Sequence, residues 1–365
     1  MYYYFYDLNE KLLDRFPAYI SKDMSNFLDK NARFIFIYSE KYTKNGKPTQ
    51  LPKNSKVFYL PTLSFYRLNY ILKKYPPFSL TTIGLRMPDM LILSYFNKKN
   101  IPTFMVQHGL FINHLERIPF FNLVYKKLSK FFKYFIFSLK ISKILNVSFY
   151  KILTEQYLFF IKGSHQLKDL KYINNRLLIS NKAFTFDESW DDYYMNKYGY
   201  YKNQFYYIQN PDYNLFKPLL SQVKQNAVCY ICQSLVEDGR FNENHYKKFI
   251  TDFVKNIGTK NKIYFKLHPR SRMSLYEHVK NENIEFVSNL PNCKFYLGHY
   301  SSLLAIVAQI GSKVMVWKLN GHDIPKEYEK YADLLTHDWS QVKKYILDEV
   351  NNNYLPNKFV IDYIN

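Results

Sequence analysis

Apolar residues along the chain recur in two periods. "ARFIFIYS" (32–39) and "KVFYLP" (56–61) are short runs of β-branched and aromatic residues, and both predict strands. "LSFYRLNYILKKY" (63–75) and "DMLILSYFNKKN" (89–100) carry the helical period. "IPTFMVQHG" (101–109) predicts a strand closed by a glycine turn. Farther along, "QFYYIQNPDY" (204–213), "NAVCYICQSL" (226–235) and "KIYFKLHPR" (262–270) predict strands. "NENHYKKFITDFVKNIG" (242–258) predicts a helix with Asn at its start and Gly at its end. "CKFYLGH" (293–299), "YSSLLAIVAQIG" (300–311) and "KVMVWKL" (313–319) predict strand, helix and strand. Gly311 ends that helix.

Strands alternating with helices imply parallel sheets covered by helices. At 365 residues the chain exceeds one ordinary core. The expectation is an α/β protein of two doubly wound domains with a cleft between them. The break falls near 165–200: an N-terminal domain over 1–175 and a C-terminal domain over 176–340. A final segment, 341–365, includes the helix "SQVKKYILDEVNN" (340–352), which is expected to cross back onto the first domain.

Composition narrows the partners. The formal net charge is +21, but 42 of the 51 basic residues are Lys and only 9 are Arg. Arg is the side chain suited to forked recognition of phosphates and base edges, so nucleic acid is not the expected partner. The charge fits an anionic lipid surface, a phosphorylated acceptor or an acidic nucleotide sugar. Three cysteines make no disulfide framework. Cys229 and Cys232 fall inside one predicted strand, and with Cys293 they are expected to be packing residues. The N-terminus lacks the layout of a signal peptide and no run is long enough to span a bilayer, so a cytoplasmic location is expected.

Segment 122–145, "NLVYKKLSKFFKYFIFSLKISKIL", wound as a helix places Lys126, Lys130, Lys133 and Lys140 on one side. Leu128, Phe131, Phe132, Phe135 and Leu139 fall on the other. Such a helix suits the surface of an anionic membrane, and it equally suits packing of its aromatic face into the first domain.

Three polar features follow predicted strands in the second half: Glu237-Asp238-Gly239, His268-Pro269 and Ser301-Ser302. Their spacings are about one βα unit each, so neighbouring strands would bring them to one rim, where open α/β sheets bind ligands. Taken singly, each has a plain structural use: an Asp-Gly turn, a His-Pro turn and a helix N-cap. Together they form an acid–base and phosphate-binding set without a metal. Asp238 suits a general base, and His268 suits a donor to a phosphate oxygen. The hydroxyls of Ser301 and Ser302 add to the anion-favouring N-terminus of the helix that follows.

EDG, then HP, then Ser-Ser at a strand-to-helix turn resembles the motif set of bacterial sialyltransferases, and is most similar to the lipooligosaccharide sialyltransferase group. The resemblance covers roughly 200–320. It implies the GT-B fold with Rossmann-like domains and a CMP-activated nonulosonic acid as donor. It also implies metal-independent inversion at the anomeric centre, with an acceptor on lipooligosaccharide or capsule. Carried over, Asp238 is the base and His268 the contact to the CMP phosphate. Ser301 and Ser302 are further phosphate ligands, and Gly239 permits close backbone approach. Pro269 fixes His268, while Arg270 and Tyr300 flank the anion site and could meet the sugar carboxylate.

"VQHGLF" (106–111) ends a strand of the first domain. QHG resembles a motif of surface-polysaccharide transferases, which makes Gln107 and His108 candidates to orient the acceptor, alongside Glu237. Glu237 and His108 are also the alternative bases. No cofactor and no metal are expected, and the chain could form an oligomer. The alternatives are a teichoic-acid-type glycerophosphotransferase or a UDP-sugar GT-B transferase, and beyond them a non-catalytic, basic membrane-binding protein.

Overall fold

A computed structural model describes residues 1–10, 13, 16–17, 31–40, 51–107, 135–156, 171–172, 174–208, 219, 221–258, 261–319 and 326–351. Its strands form two sheets, and every strand pairing in them is parallel. The first contains β1 (Tyr2–Asn9), β2 (Arg33–Glu40), β3 (Ser55–Tyr59), β4 (Pro77–Ile83), β5 (Thr103–Val106), β6 (Lys182–Thr185) and β7 (Phe205–Tyr207), in the order β3-β2-β1-β4-β5-β6-β7. The second contains β8 (Gln225–Ile231), β9 (Lys262–Lys266), β10 (Ile284–Val287), β11 (Cys293–Gly298), β12 (Lys313–Trp317) and β13 (Leu334–Thr336), in the order β10-β9-β8-β11-β12-β13. Each order reverses once, between β1 and β4 and between β8 and β11. Doubly wound sheets bind ligands at such a reversal.

Parallel strands covered on both faces lose their polar alternation, and "KVMVW" of β12 is buried at every position. The helix Glu243–Ile257 keeps the amphipathic period: Tyr246, Phe249, Ile250, Phe253 and Ile257 are buried. The Asn242 side chain accepts from the N–H groups of Asn244 and His245. Gly311, at φ 75°, turns the chain after the helix Ser302–Gln309, as its position in the sequence predicts. Cys229, Cys232 and Cys293 are free and buried, and burial holds each thiol well above its ordinary pKa.

Two expectations change. The chain separates into two compact units, and β6 and β7 belong to the first sheet. The boundary therefore lies beyond β7, near 211, and not at 175. The parallel pairing of β6 to β5 and of β7 to β6 holds 182–207 in the first unit. The helix Trp339–Asn351 packs within the second unit: Trp339 stacks on Trp317 at 3.8 Å and contacts Phe249 and Phe253. Residues 352–365 lie outside the described residues.

Of segment 122–145, residues 135–145 are described, and they are helical. Its buried side is Ser138, Ile141 and Ile144, whereas Phe135, Ile136 and Leu139 face outward. Lys140 turns inward. Its ammonium donates to the carbonyls of Thr62 and Leu63 and lies over the Phe65 ring, and burial lowers its pKa. Thr62 and Leu63 adopt positive φ, and their carbonyls take Lys140 as donor. Lys126, Leu128, Lys130, Phe131, Phe132 and Lys133 lie outside the described residues. Among the described residues no helix is long and apolar enough to cross a membrane.

Candidate active site

Parallel register sets the carboxyl ends of β8, β9 and β11 side by side: Ile231 pairs with Lys266 and Tyr230 with Leu297. The segments leaving these ends surround a cavity of about 370 Å³. Asp238, Arg240, Lys266, His268, Arg270, Tyr300, Ser301 and Ser302 are in its lining, with Gln233 and Ser234. The cavity sits at the β8/β11 reversal, where a ligand site is expected. The three motifs do converge.

Asp238 sits in a compact turn. Its N–H donates to the Ser234 carbonyl, Gly239 follows at φ 69°, and the Arg240 N–H returns to the Leu235 carbonyl. Its carboxylate is held by a fork. Arg270 Nη1 donates to Oδ1 at 2.5 Å and Nη2 to Oδ2 at 3.1 Å. The Ser234 hydroxyl donates to Oδ2 at 3.0 Å and accepts from Arg270 Nη2 at 2.8 Å. Burial alone would raise the pKa of Asp238, but the bonds from Arg270 and Ser234 outweigh it and hold the group below its ordinary value.

His268 begins a tight turn in which the Ser271 N–H donates to the His268 carbonyl at 2.8 Å and the Ser271 hydroxyl accepts from the His268 N–H. Pro269 is the second residue of this turn, where its fixed φ is favoured. The Arg270 N–H donates to His268 Nδ1 at 3.2 Å. A neutral ring that accepts at Nδ1 carries its proton on Nε2, so His268 presents a hydrogen-bond donor. Burial, then the Arg270 charge, lowers its pKa and favours this neutral form.

The Ser301 hydroxyl caps the helix Ser302–Gln309 by accepting from the Leu303 N–H at 3.3 Å. Tyr300 is anchored by its N–H to Gln233 Oε1 at 2.9 Å. Under this rim a buried chain of bonds runs from the Trp317 carbonyl to His299 Nδ1, from His299 Nε2 to the Tyr230 hydroxyl, and on to Tyr246 and Tyr276. It ties β8, β11 and β12 together beneath the cavity. Arg240, Lys266 and the helix N-terminus give the lining a net positive field against one engaged carboxylate. Among the described residues no group of three His, Cys, Asp or Glu could hold a metal ion.

The remaining candidates fall elsewhere. Glu237 is outside the lining, and its Oε1 accepts from the Arg272 N–H at 2.9 Å. Gly239 and Pro269 shape turns and do not line the cavity. Gln107 is buried in the first unit, where its Oε1 accepts from the Phe186 N–H at 3.1 Å. His108 lies outside the described residues.

Sequence reasoning passed over Ser234, Arg240 and Lys266, each within a few residues of a quoted motif. It also passed over a cluster at the other reversal, where Arg86 bridges Asp7, near the end of β1, and Asp89, at 2.7 Å each. Both carboxylates are fully buried. Burial lifts Asp89 to about 6 even though Arg86 opposes the rise.

No protein-family model matches the chain, and no curated protein does. Solved structures do. UDP-GlcNAc 2-epimerase from Methanocaldococcus jannaschii, in complex with UDP-GlcNAc and UDP, aligns with a TM-score of 0.53 at 13% identity, over 98% of this chain and 95% of that one. S. aureus MnaA in its UDP co-structure aligns at 0.52 and 11% identity, over 96% and 89%. The fold is GT-B. The wall teichoic acid polymerase TagF scores lower, 0.49 at 12% identity over 96% and 79%.

Proposed function

We propose that this chain is an inverting, metal-independent glycosyltransferase that moves a nonulosonic acid from a CMP-activated donor to a surface glycan. One observation carries the proposal: a single cationic cavity at the β8/β11 reversal gathers Asp238, His268, Ser301 and Ser302. In this mechanism an acceptor hydroxyl attacks the anomeric carbon and passes its proton to Asp238. The bond from that carbon to the phosphate oxygen breaks, and its electron pair leaves with CMP. His268 Nε2–H, the two serines and the helix N-terminus stabilise the charge that gathers on the phosphate.

A UDP-sugar transferase is the second reading, and the fold favours it, because the similar UDP-GlcNAc 2-epimerase from Methanocaldococcus jannaschii is solved with UDP-GlcNAc and UDP, and S. aureus MnaA with UDP. A donor panel of CMP-nonulosonates, UDP-sugars and CDP-glycerol separates the readings: the primary one expects turnover of the CMP donors alone, undiminished by EDTA. UDP-sugar turnover would replace it with the second. No turnover on any donor, with salt-sensitive binding that survives D238A, would leave a basic binding protein.

The proposed place of work is the cytoplasmic face of the membrane. Phe135, Ile136 and Leu139 are exposed together with Lys143 on one helix, an arrangement suited to an anionic bilayer surface. Replacing the three apolar residues by Ser should release the protein from phosphatidylglycerol vesicles, and unchanged co-sedimentation would remove the membrane from the account.

A further inference from the structure

The carboxylate cast as the base is engaged. Arg270 donates to both oxygens of Asp238, and Ser234 joins the same fork, so protonation of Asp238 is opposed by the guanidinium's charge and bonds. The two partners differ in exposure: the Arg270 side chain is 60% exposed and Asp238 19%. An arginine this exposed is open to solvent and to a second anion, and its planar fork fits a phosphate or another carboxylate as well as it fits Asp238. A second anion has a place nearby, because Arg270, His268 and Ser301 line the same cavity.

We infer that Arg270 is a positioning residue that exchanges anions: it holds Asp238 in the free protein and transfers to an anionic oxygen of the nucleotide donor on binding, which releases Asp238 to accept the acceptor's proton. The inference rests on the nucleotide-donor reading of this cavity. Ser234 stays with Asp238 and keeps it aimed. The other charges around the pair are Arg240, whose Nε is 4.0 Å from Oδ2, together with Lys266, His268 and Glu237. Donor binding thereby arms the base, so water or acceptor finds a competent Asp238 only when a donor is present.

The test is a calorimetric cycle with CMP at pH 7 on the full chain, its D238N and R270Q variants and the double variant, each checked by thermal melting. If the two anions compete for Arg270, D238N frees the guanidinium and binds CMP about three- to tenfold more tightly than wild type. R270Q binds more weakly, and in the R270Q background D238N brings no gain. Weaker binding by D238N would overturn the inference, because Asp238 would then be aiming Arg270 at the phosphate. A gain that persists without Arg270 would also overturn it, as plain charge repulsion.

Wild-type crystals grown with CMP give a second readout that needs no variant: the Nη1–Oδ1 separation should exceed hydrogen-bond distance. CMP bound with the pair intact, also after addition of free N-acetylneuraminate, defeats this inference alone. A pair that opens only with the added sugar assigns Arg270 to a carboxylate and not a phosphate. Absence of CMP binding defeats the donor reading and this inference with it.

Discussion

The two sheets present the same ingredients at the same topological place and tune them in opposite directions. At the β1/β4 reversal Arg86 bridges Asp7 and Asp89, both fully buried. At the β8/β11 reversal Arg270 grips Asp238 from an exposed position. Both carboxylates meet an arginine at hydrogen-bonding distance, yet Asp89 is raised to about 6 and Asp238 is held below its ordinary value. Burial decides between them. Where solvent is excluded, the cost of a bare charge exceeds what the arginine returns; where it is not, the arginine's bonds prevail. The first cluster ties β1 to the helix that begins at Met87, and the second leaves its arginine open to solvent.

The largest effect expected separates the two. D238N should lower turnover by about 10²–10⁴, the range for loss of a general base, while D89N should change it by less than about tenfold. Steady-state kinetics on both variants check this, and a reversed order would move the base to the first unit. Next, H268A should weaken CMP binding by about ten- to a hundredfold, as loss of a bond to a charged oxygen requires, measured by calorimetry.

Stability against pH then sharpens the contrast. The folded pKa of Asp89 lies above its ordinary 3.8, so the stability it contributes is complete below about pH 4 and lost as pH rises through about 6. Wild type should therefore lose on the order of a few °C in Tm relative to D89N over that window. Asp238 has the opposite sign: its contribution is present above the ordinary carboxylate range and lost as pH falls through its depressed value. Smallest of all, S301A should cost about 1 kcal/mol of stability through the lost cap, read from denaturant midpoints.

Much of the second unit was legible in the sequence, and the first much less so. "NAVCYICQSL", "KIYFKLHPR" and "KVMVWKL" are dense apolar runs ended by polar signals, and their strands stand where the pattern predicts. The three motifs follow "NAVCYICQSL", "KIYFKLHPR" and "CKFYLGH", so their convergence could be foreseen from spacing alone. β1, "YYYFYDLN", is an interior strand of its sheet, between β2 and β4, but five aromatic residues in succession carry no alternation and no flanking turn. β4, "PFSLTTI", has Ser or Thr at three of seven positions and so lacks a clean apolar run, although Ser79, Thr81 and Thr82 are buried. With both strands unseen, Asp7 and Asp89 had no visible reason to meet. The pairing of Asp238 with Arg270 was hidden for a different reason, since it depends on side-chain directions across 32 residues that no local pattern encodes.

The central claim is that the cavity beyond β8, β9 and β11 holds a nucleotide's phosphate. Diffraction from crystals grown with CMP tests it most directly. The account predicts phosphate density within hydrogen-bonding reach of His268 Nε2 and of the Ser301–Ser302 helix start; CMP seated elsewhere on the molecule, with this cavity unchanged, would contradict it.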